Sequence, residues 1–173
     1  MIELSSLTRQ HARALFGEHE LLEVERLLAE ECGDTVPLMW ESATPTSLER
    51  IRFAALRFSG GRMEDLRYAV ALANRDWRDL LVAADFDQPD AHMSWRPRPL
   101  LPEALAGWQR GVLPEGVEFG PDDAATVLYG LERGQRVSIV ILLKLEPEPQ
   151  YLVRNAAGEE FKEYQRVLLS RAT

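Results

Sequence analysis

Apolar positions in the first half of the chain recur every three or four residues, the period of a helix with one buried face. Ser5 or Ser6 heads a short segment that carries Leu7, Leu15 and Phe16 and closes at Gly17, which predicts a capped helix. Residues 18–32, EHELLEVERLLAEEC, set Leu21, Val24, Leu28 and Cys32 on one stripe before a stop at Gly33. In the connection that follows, Leu38, Met39 and Trp40 are expected to turn back onto the core. Thr46-x-x-Glu49 has the form of a capping box. Behind it Leu48, Ile51, Ala55 and Phe58 make one helix face. After Ser59-Gly60-Gly61, the residues Met63, Leu66, Val70, Ala73, Trp77, Leu80 and Ala84 continue at alternating steps of three and four. Two amphipathic helices around a short glycine turn predict a helical hairpin.

The pattern changes beyond Asp85. Pro89, Pro97, Pro99, Pro102 and Pro114 interrupt any long helix. Trp95 and Trp108 are too apolar for a free linker, so the segment predicts a structured connector over the helices, with LPEALAGWQRG as one short helical piece. Gly120-Pro121-Asp122-Asp123 reads as the start of a helix DDAATVLYGLE. RVSIVILLKLE, residues 136–146, is β-branched and predicts a buried strand, turned at Glu146-Pro147-Glu148-Pro149 into a return strand QYLVR. In the tail Phe161, Tyr164 and Leu168 fall at helical spacing, with a third strand over QRVLLS as the alternative. These elements predict a mainly α fold: an antiparallel helical bundle over residues 1–95, then a small α+β region, residues 96–173, with a short β-hairpin and helices packed on the bundle. The expected bundle core holds Leu21, Leu28, Ile51, Ala55, Phe58, Leu66, Val70, Trp77 and Leu80.

Composition narrows the classes. The chain has 173 residues, 46% apolar and 28% charged, which suits a globular protein and excludes general disorder. No apolar run approaches the roughly 18 residues of a membrane span, and the N-terminus lacks the pattern of a signal peptide. One cysteine, Cys32, excludes an intramolecular disulfide and a cysteine-based zinc site, and a cytoplasmic location is expected. The net charge of −8 argues against non-specific phosphate binding. Residues 1–45 hold nine acids against three bases, whereas residues 46–84 hold five against seven.

His19-Glu20-x-x-Glu23 departs from H-E-x-x-H at the second histidine, even with His11 eight residues earlier, and reads as an acidic helix with a surface histidine. Asp85, Asp87, Asp90 and His92 place four oxygen or nitrogen donors within eight positions, enough for a divalent cation if the loop closed round one. Capping and turn formation around Pro89 is the simpler use. Asp85, Asp87, Asp90, His92 and Trp95 are the candidate binding residues, and Glu23 and Glu30 mark a candidate interaction face. Arg50, Arg57, Arg67, Arg75 and Arg78 would track phosphates if they shared a face, but Glu49, Glu64, Asp65, Asp76 and Asp79 lie among them. In RDWRD, Trp77 is expected to anchor the helix, with Arg75, Asp76 and Asp79 as a structural clamp. There is no phosphate loop, dinucleotide fingerprint or nucleophile elbow.

Residues 46–95, LERIRFAALRFSGGRMEDLRYAVALANRDWRDLLVAADF with the following DAHMSW, resemble a pattern found in short bacterial helical proteins of unknown function. The resemblance implies a helical unit and carries over no catalytic residue, metal or cofactor. The leading expectation is a non-enzymatic protein-interaction or regulatory module, with the 18–32 helix or the 92–108 segment as its surface. The alternative is a metal-dependent hydrolase built on Asp85 to His92, and the third is nucleic-acid binding through the arginines of residues 50–78. A homodimer through strand 136–145 is left open.

Overall fold

A computed structural model describes residues 3–32, 36–37 and 44–170. The chain forms two compact units, Met1–Pro99 and Leu100–Thr173. The expected turn of Leu38, Met39 and Trp40 onto the core, and the stop at Gly33, lie outside the described residues.

In the first unit, helix α1 (Ser6–Leu15) begins at Ser5, whose hydroxyl accepts the Thr8 N–H at 3.0 Å. Phe16 is extended and Gly17 opens helix α2 (Glu18–Arg26), where the Glu20 carboxylate accepts the Gly17 N–H at 3.3 Å. α2 then widens into a π-helical segment, Leu27–Glu31. There the Cys32 N–H donates to the Leu27 carbonyl at 3.0 Å, five residues back. Helix α3 (Pro45–Ser59) is capped by Thr44 with Ser47, two residues before the expected box: the Ser47 N–H donates to the Thr44 hydroxyl at 3.1 Å, and the Thr44 N–H to Ser47 Oγ at 3.0 Å. Glu49 is thereby released, and it accepts a hydrogen bond from Ser5 that ties α1 to α3.

α3 ends at Gly60 in the left-handed region, and Gly61, also at positive φ, lies against the chain of α1. A Cβ there would sit 2.5 Å from the Leu15 carbonyl oxygen, so only glycine fits. Helix α4 (Met63–Ala83) follows, but it is not one rod. Asp76, at φ −154° and ψ 100°, interrupts it inside RDWRD.

In the second unit, helix α5 (Pro102–Gln109) precedes five strands: β1 (Ala124–Val127), β2 (Arg136–Lys144), β3 (Gln150–Asn155), β4 (Glu160–Tyr164) and β5 (Leu168–Ser170). They form one antiparallel sheet in the order β4-β3-β2-β1-β5, with a 3-10 turn, Gln165–Val167, leading into the last strand. Strand β2 is therefore interior, paired within the chain on both sides with β1 and β3. Its register with β3 shifts between Ile139 and Ile141 and again between Leu142 and Lys144.

The expected fold class is overturned. A five-stranded sheet with one helix replaces the short hairpin and helices. DDAATVLYGLE is no helix: Ala125 and Val127 alternate with outward residues, the period of a half-buried strand, and Asp122 takes φ 63° beside Pro121. Asp123 holds the corner instead, its carboxylate accepting the Gly120 N–H at 2.6 Å. The tail is β4 and β5, not a helix, because Asn155 to Gly158 makes a tight hairpin turn. The Asn155 side-chain oxygen accepts the Ala157 and Glu159 N–H groups, each at 3.0 Å.

The helical half also departs from a bundle. Every residue of α3 from Ile51 to Leu56 is buried, so α3 is enclosed on more than one side and has no single stripe. Each unit has its own core. His11, Phe53, Phe86, His92 and Trp95 crowd together in the first, among Leu28, Ile51, Leu66 and Leu80. Trp108, Phe119, Tyr151 and Ile139 centre the second, and the Trp108 indole donates to the Phe119 carbonyl at 2.8 Å. The two tryptophans expected to share one connector thus belong to different cores.

Candidate functional site

The first unit carries an open cleft of about 640 Å³ beside α1 and α2. This is the size of a ligand or peptide pocket. Leu4, Leu22 and Ala29 supply its apolar surface, and Glu3, Glu23, Glu25 and Glu30 with Arg9 and Arg26 its polar edge. The sequence places these groups because Val24, Leu27 and Leu28 take the inward stripe of the helix. Leu22 then faces out, and it is 86% exposed.

The rim arginines are already engaged. Arg9 stands 3.4 Å from Glu3 and 3.6 Å from Glu25, and Arg26 stands 2.8 Å from Glu31 and 3.5 Å from Glu30. The hydrogen bond to Glu31 raises the Arg26 pKa above its ordinary value. Glu23 pairs with Arg67 of α4 at 2.7 Å, which fixes one wall. Beneath the π-helical segment, the buried Arg52 donates from Nε to the Leu28 carbonyl at 3.0 Å and the Cys32 carbonyl at 3.2 Å. Asn74 donates to the Glu31 carbonyl at 2.6 Å. Side chains from two other helices therefore complete the end of the helix that lines the cleft.

The Asp85–Trp95 residues divide. His92 is 5% exposed and Trp95 is also buried, both set among Phe53 and Phe86. Asp85, Asp87 and Asp90 are exposed. The structure does not bring the four donors together, and among the described residues no group of three or more histidine, cysteine or acidic side chains is arranged to hold a metal. Nor do the aspartates cap by side chain in the expected way. Asp85 lies 3.4 Å from Arg57, Asp87 accepts from the Gln88 amide at 3.0 Å, and Asp90 precedes the 3-10 turn Ala91–Met93 without a side-chain cap. A second histidine enters this core: His11, 3% exposed, 4.7 Å from the Phe53 ring and 4.9 Å from the Trp95 ring. His19 is exposed.

Burial pulls both buried histidines below their ordinary pKa. Arg96 adds to this at His11, where Glu49 opposes it. Arg50 adds to it at His92, where the Pro89 carbonyl, Glu49 and Asp90 oppose it. His11 and His92 have Nδ1 atoms with no hydrogen-bond partner, consistent with neutral rings. Cys32 is wholly buried, and its thiol is pushed up to about 12 by desolvation, which removes it as a nucleophile.

RDWRD is a helix restart. Asp76 sits at the N-cap, and its carboxylate accepts the Arg78 N–H at 3.0 Å. Trp77 is half-buried against the core, with Arg78 stacked 4.7 Å from its ring. Arg75 and Asp79 are both exposed and form no pair with each other among the described contacts. Of the five arginines considered for phosphate, Arg50 holds the carbonyls of Phe86 and Asp87, Arg57 lies over the Phe86 ring at 4.9 Å, and Arg67 pairs with Glu23. Arg50, Arg57 and Arg67 are thus engaged within the first unit, while Arg78 stacks on Trp77 and Arg75 is exposed.

Sequence reasoning missed Leu22 and Arg52, and weighed His11 only beside the His19 motif, not as part of the core. Leu22 and Ala29 are seven apart, off the inward stripe, and that spacing is the signal for a second apolar line. Arg52 carries no signal in the sequence, because the carbonyls it meets belong to another helix. Comparison with protein-family models, with curated proteins and with solved structures finds no match to this chain.

Proposed function

We propose that this chain is a non-enzymatic protein-interaction module that binds its partner in the cleft beside α1 and α2. The exposed Leu22 carries the reading. Burying a leucine side chain is worth about 1.5–3 kcal/mol, so a partner that covers Leu22 gains affinity that the free chain forgoes. The glutamates around it supply complementarity and steering to a basic partner. Glu23 and Glu30, the face singled out by composition, both edge this apolar patch.

A photo-crosslinking side chain placed at position 22 in native extract tests the proposal, with position 82 as control, since Val82 is 65% exposed on α4. A discrete adduct is expected from position 22 alone, reduced at least about fivefold when Glu23→Lys and Glu30→Lys are combined. Equal labelling from both positions, indifferent to the charge reversals, would remove the interaction reading.

A further inference from the structure

We infer that the segment this cleft accepts is a basic amphipathic α-helix, lying along α2 with apolar residues over Leu4, Leu22 and Ala29 and with lysines or arginines against Glu23 and Glu30. The inference rests on the interaction reading and adds the chemistry of the partner. Spacing is the first argument. Leu22 and Ala29 are seven residues apart, and so are Glu23 and Glu30. Both pairs line the cleft along α2 and the π-helical segment, about 10 Å apart along the axis. A guest helix presents its own apolar anchors at positions i, i+3, i+4 and i+7, so two successive turns of the guest meet both pairs at once. An extended strand alternates its side chains and has no such match.

Charge is the second argument. From Glu18 to Glu31 there are six glutamates and one arginine. Arg26 already faces two carboxylates, as does Arg9 across the cleft. Arg67 also holds Glu23, so Glu3, Glu23, Glu25, Glu30 and Glu31 stand against Arg9, Arg26 and Arg67, five acids to three bases, and the field left for a visitor is negative. A second copy of this chain would set one glutamate rim against another across a two-fold axis, on a chain of net charge −8. A small cation would leave most of Leu22, 86% exposed, in water. A helix with an apolar face and basic flanks satisfies both halves of the surface.

The test titrates the full chain against a synthetic peptide of about 18 residues, long enough to form a helix, built from leucine, alanine, lysine and arginine with its apolar residues on one face. A scrambled peptide of identical composition is the control. Binding is read by fluorescence anisotropy, and sedimentation reports the state of the protein alone. The ordered peptide is expected to bind at least about tenfold more tightly than the scrambled one, and Leu22→Asp to weaken it about tenfold. Leu22 is exposed, so this variant keeps the helix, which circular dichroism checks. Equal binding of the two peptides, or no effect of Leu22→Asp, overturns the inference. A dimer of the protein alone that Leu22→Asp dissociates also overturns it, by making a second copy the occupant, while the interaction reading stands. Loss of the position-22 adduct in the crosslinking experiment instead removes both.

Discussion

At the scale of single residues, the buried histidines give the chain a pH dependence with a definite sign. Their folded pKa values lie below the ordinary value of 6.5, which the unfolded chain recovers. Between those values the unfolded state binds protons that the folded state refuses, so acidification favours unfolding. The stabilisation is complete above about pH 6.5 and is lost as pH falls through the folded pKa values. Melting temperature is therefore expected to drop from pH 7.5 to pH 5.5, and His11→Phe and His92→Phe are each expected to flatten that drop. A slope unchanged in both variants would show that other groups set it. His92 was visible in the sequence as part of a polar cluster, but its neighbours point the other way. One position in a turn decides between solvent and core, and composition alone does not record that choice.

At the scale of elements, the glycine turn at residues 59–61 and the helices on either side of it were legible, because their periodicity is long and their breaker is strong. The break at Asp76 was not. Apolar spacing runs through it without a fault, since Trp77, Leu80 and Ala84 keep step with Val70 and Ala73. What marks the break is local chemistry: an aspartate whose carboxylate satisfies the N–H of the residue two places on. Asp76→Ala is expected to cost about 1 kcal/mol, and Asp76→Asn or Asp76→Ser to recover most of it, measured by urea denaturation. Equal stability of the alanine and serine variants would show that the carboxylate does not cap the restart. The strands of the second unit hid for a related reason. AATV and EFKEY are short, and a few residues fit a period of two or of 3.6 almost equally well.

At the scale of the whole molecule, the two cores have different contents. The first packs aromatic rings around two histidines, whereas the second packs aliphatic strands around Trp108 and Tyr151. Lys144, within the predicted strand, is wholly buried at the end of β2, with its ammonium 5.6 Å from the centre of the Tyr164 ring. Among the described residues no helix is long and apolar enough to cross a membrane. The fold class was misread chiefly in the second half, where proline and glycine spacing suggested short helices and the pairing of distant strands decided otherwise. The outward-facing cleft was half-legible: its glutamates stood out by charge, and its leucine was masked by the stronger inward stripe.

The pitch of one helix is held by a side chain of another. Because the Cys32 N–H reaches back to Leu27, the neighbouring Leu28 carbonyl is met by Arg52, which bonds Cys32 as well. Extra length in α2 and a cation in α3 are thus two halves of one fitting. Arg52→Met alone should destabilise the chain by about 1–3 kcal/mol for each buried carbonyl left bare. Deleting Glu31 alongside it lets the helix close at ordinary pitch, and the shortened double variant should melt above Arg52→Met in calorimetry. If shortening only adds to the damage, the wide turn has a cause other than its guanidinium. Should the rescue succeed, Ala29 and Glu30 would sit differently against Leu22, so the cleft's own spacing would be traced to an arginine that never touches a partner.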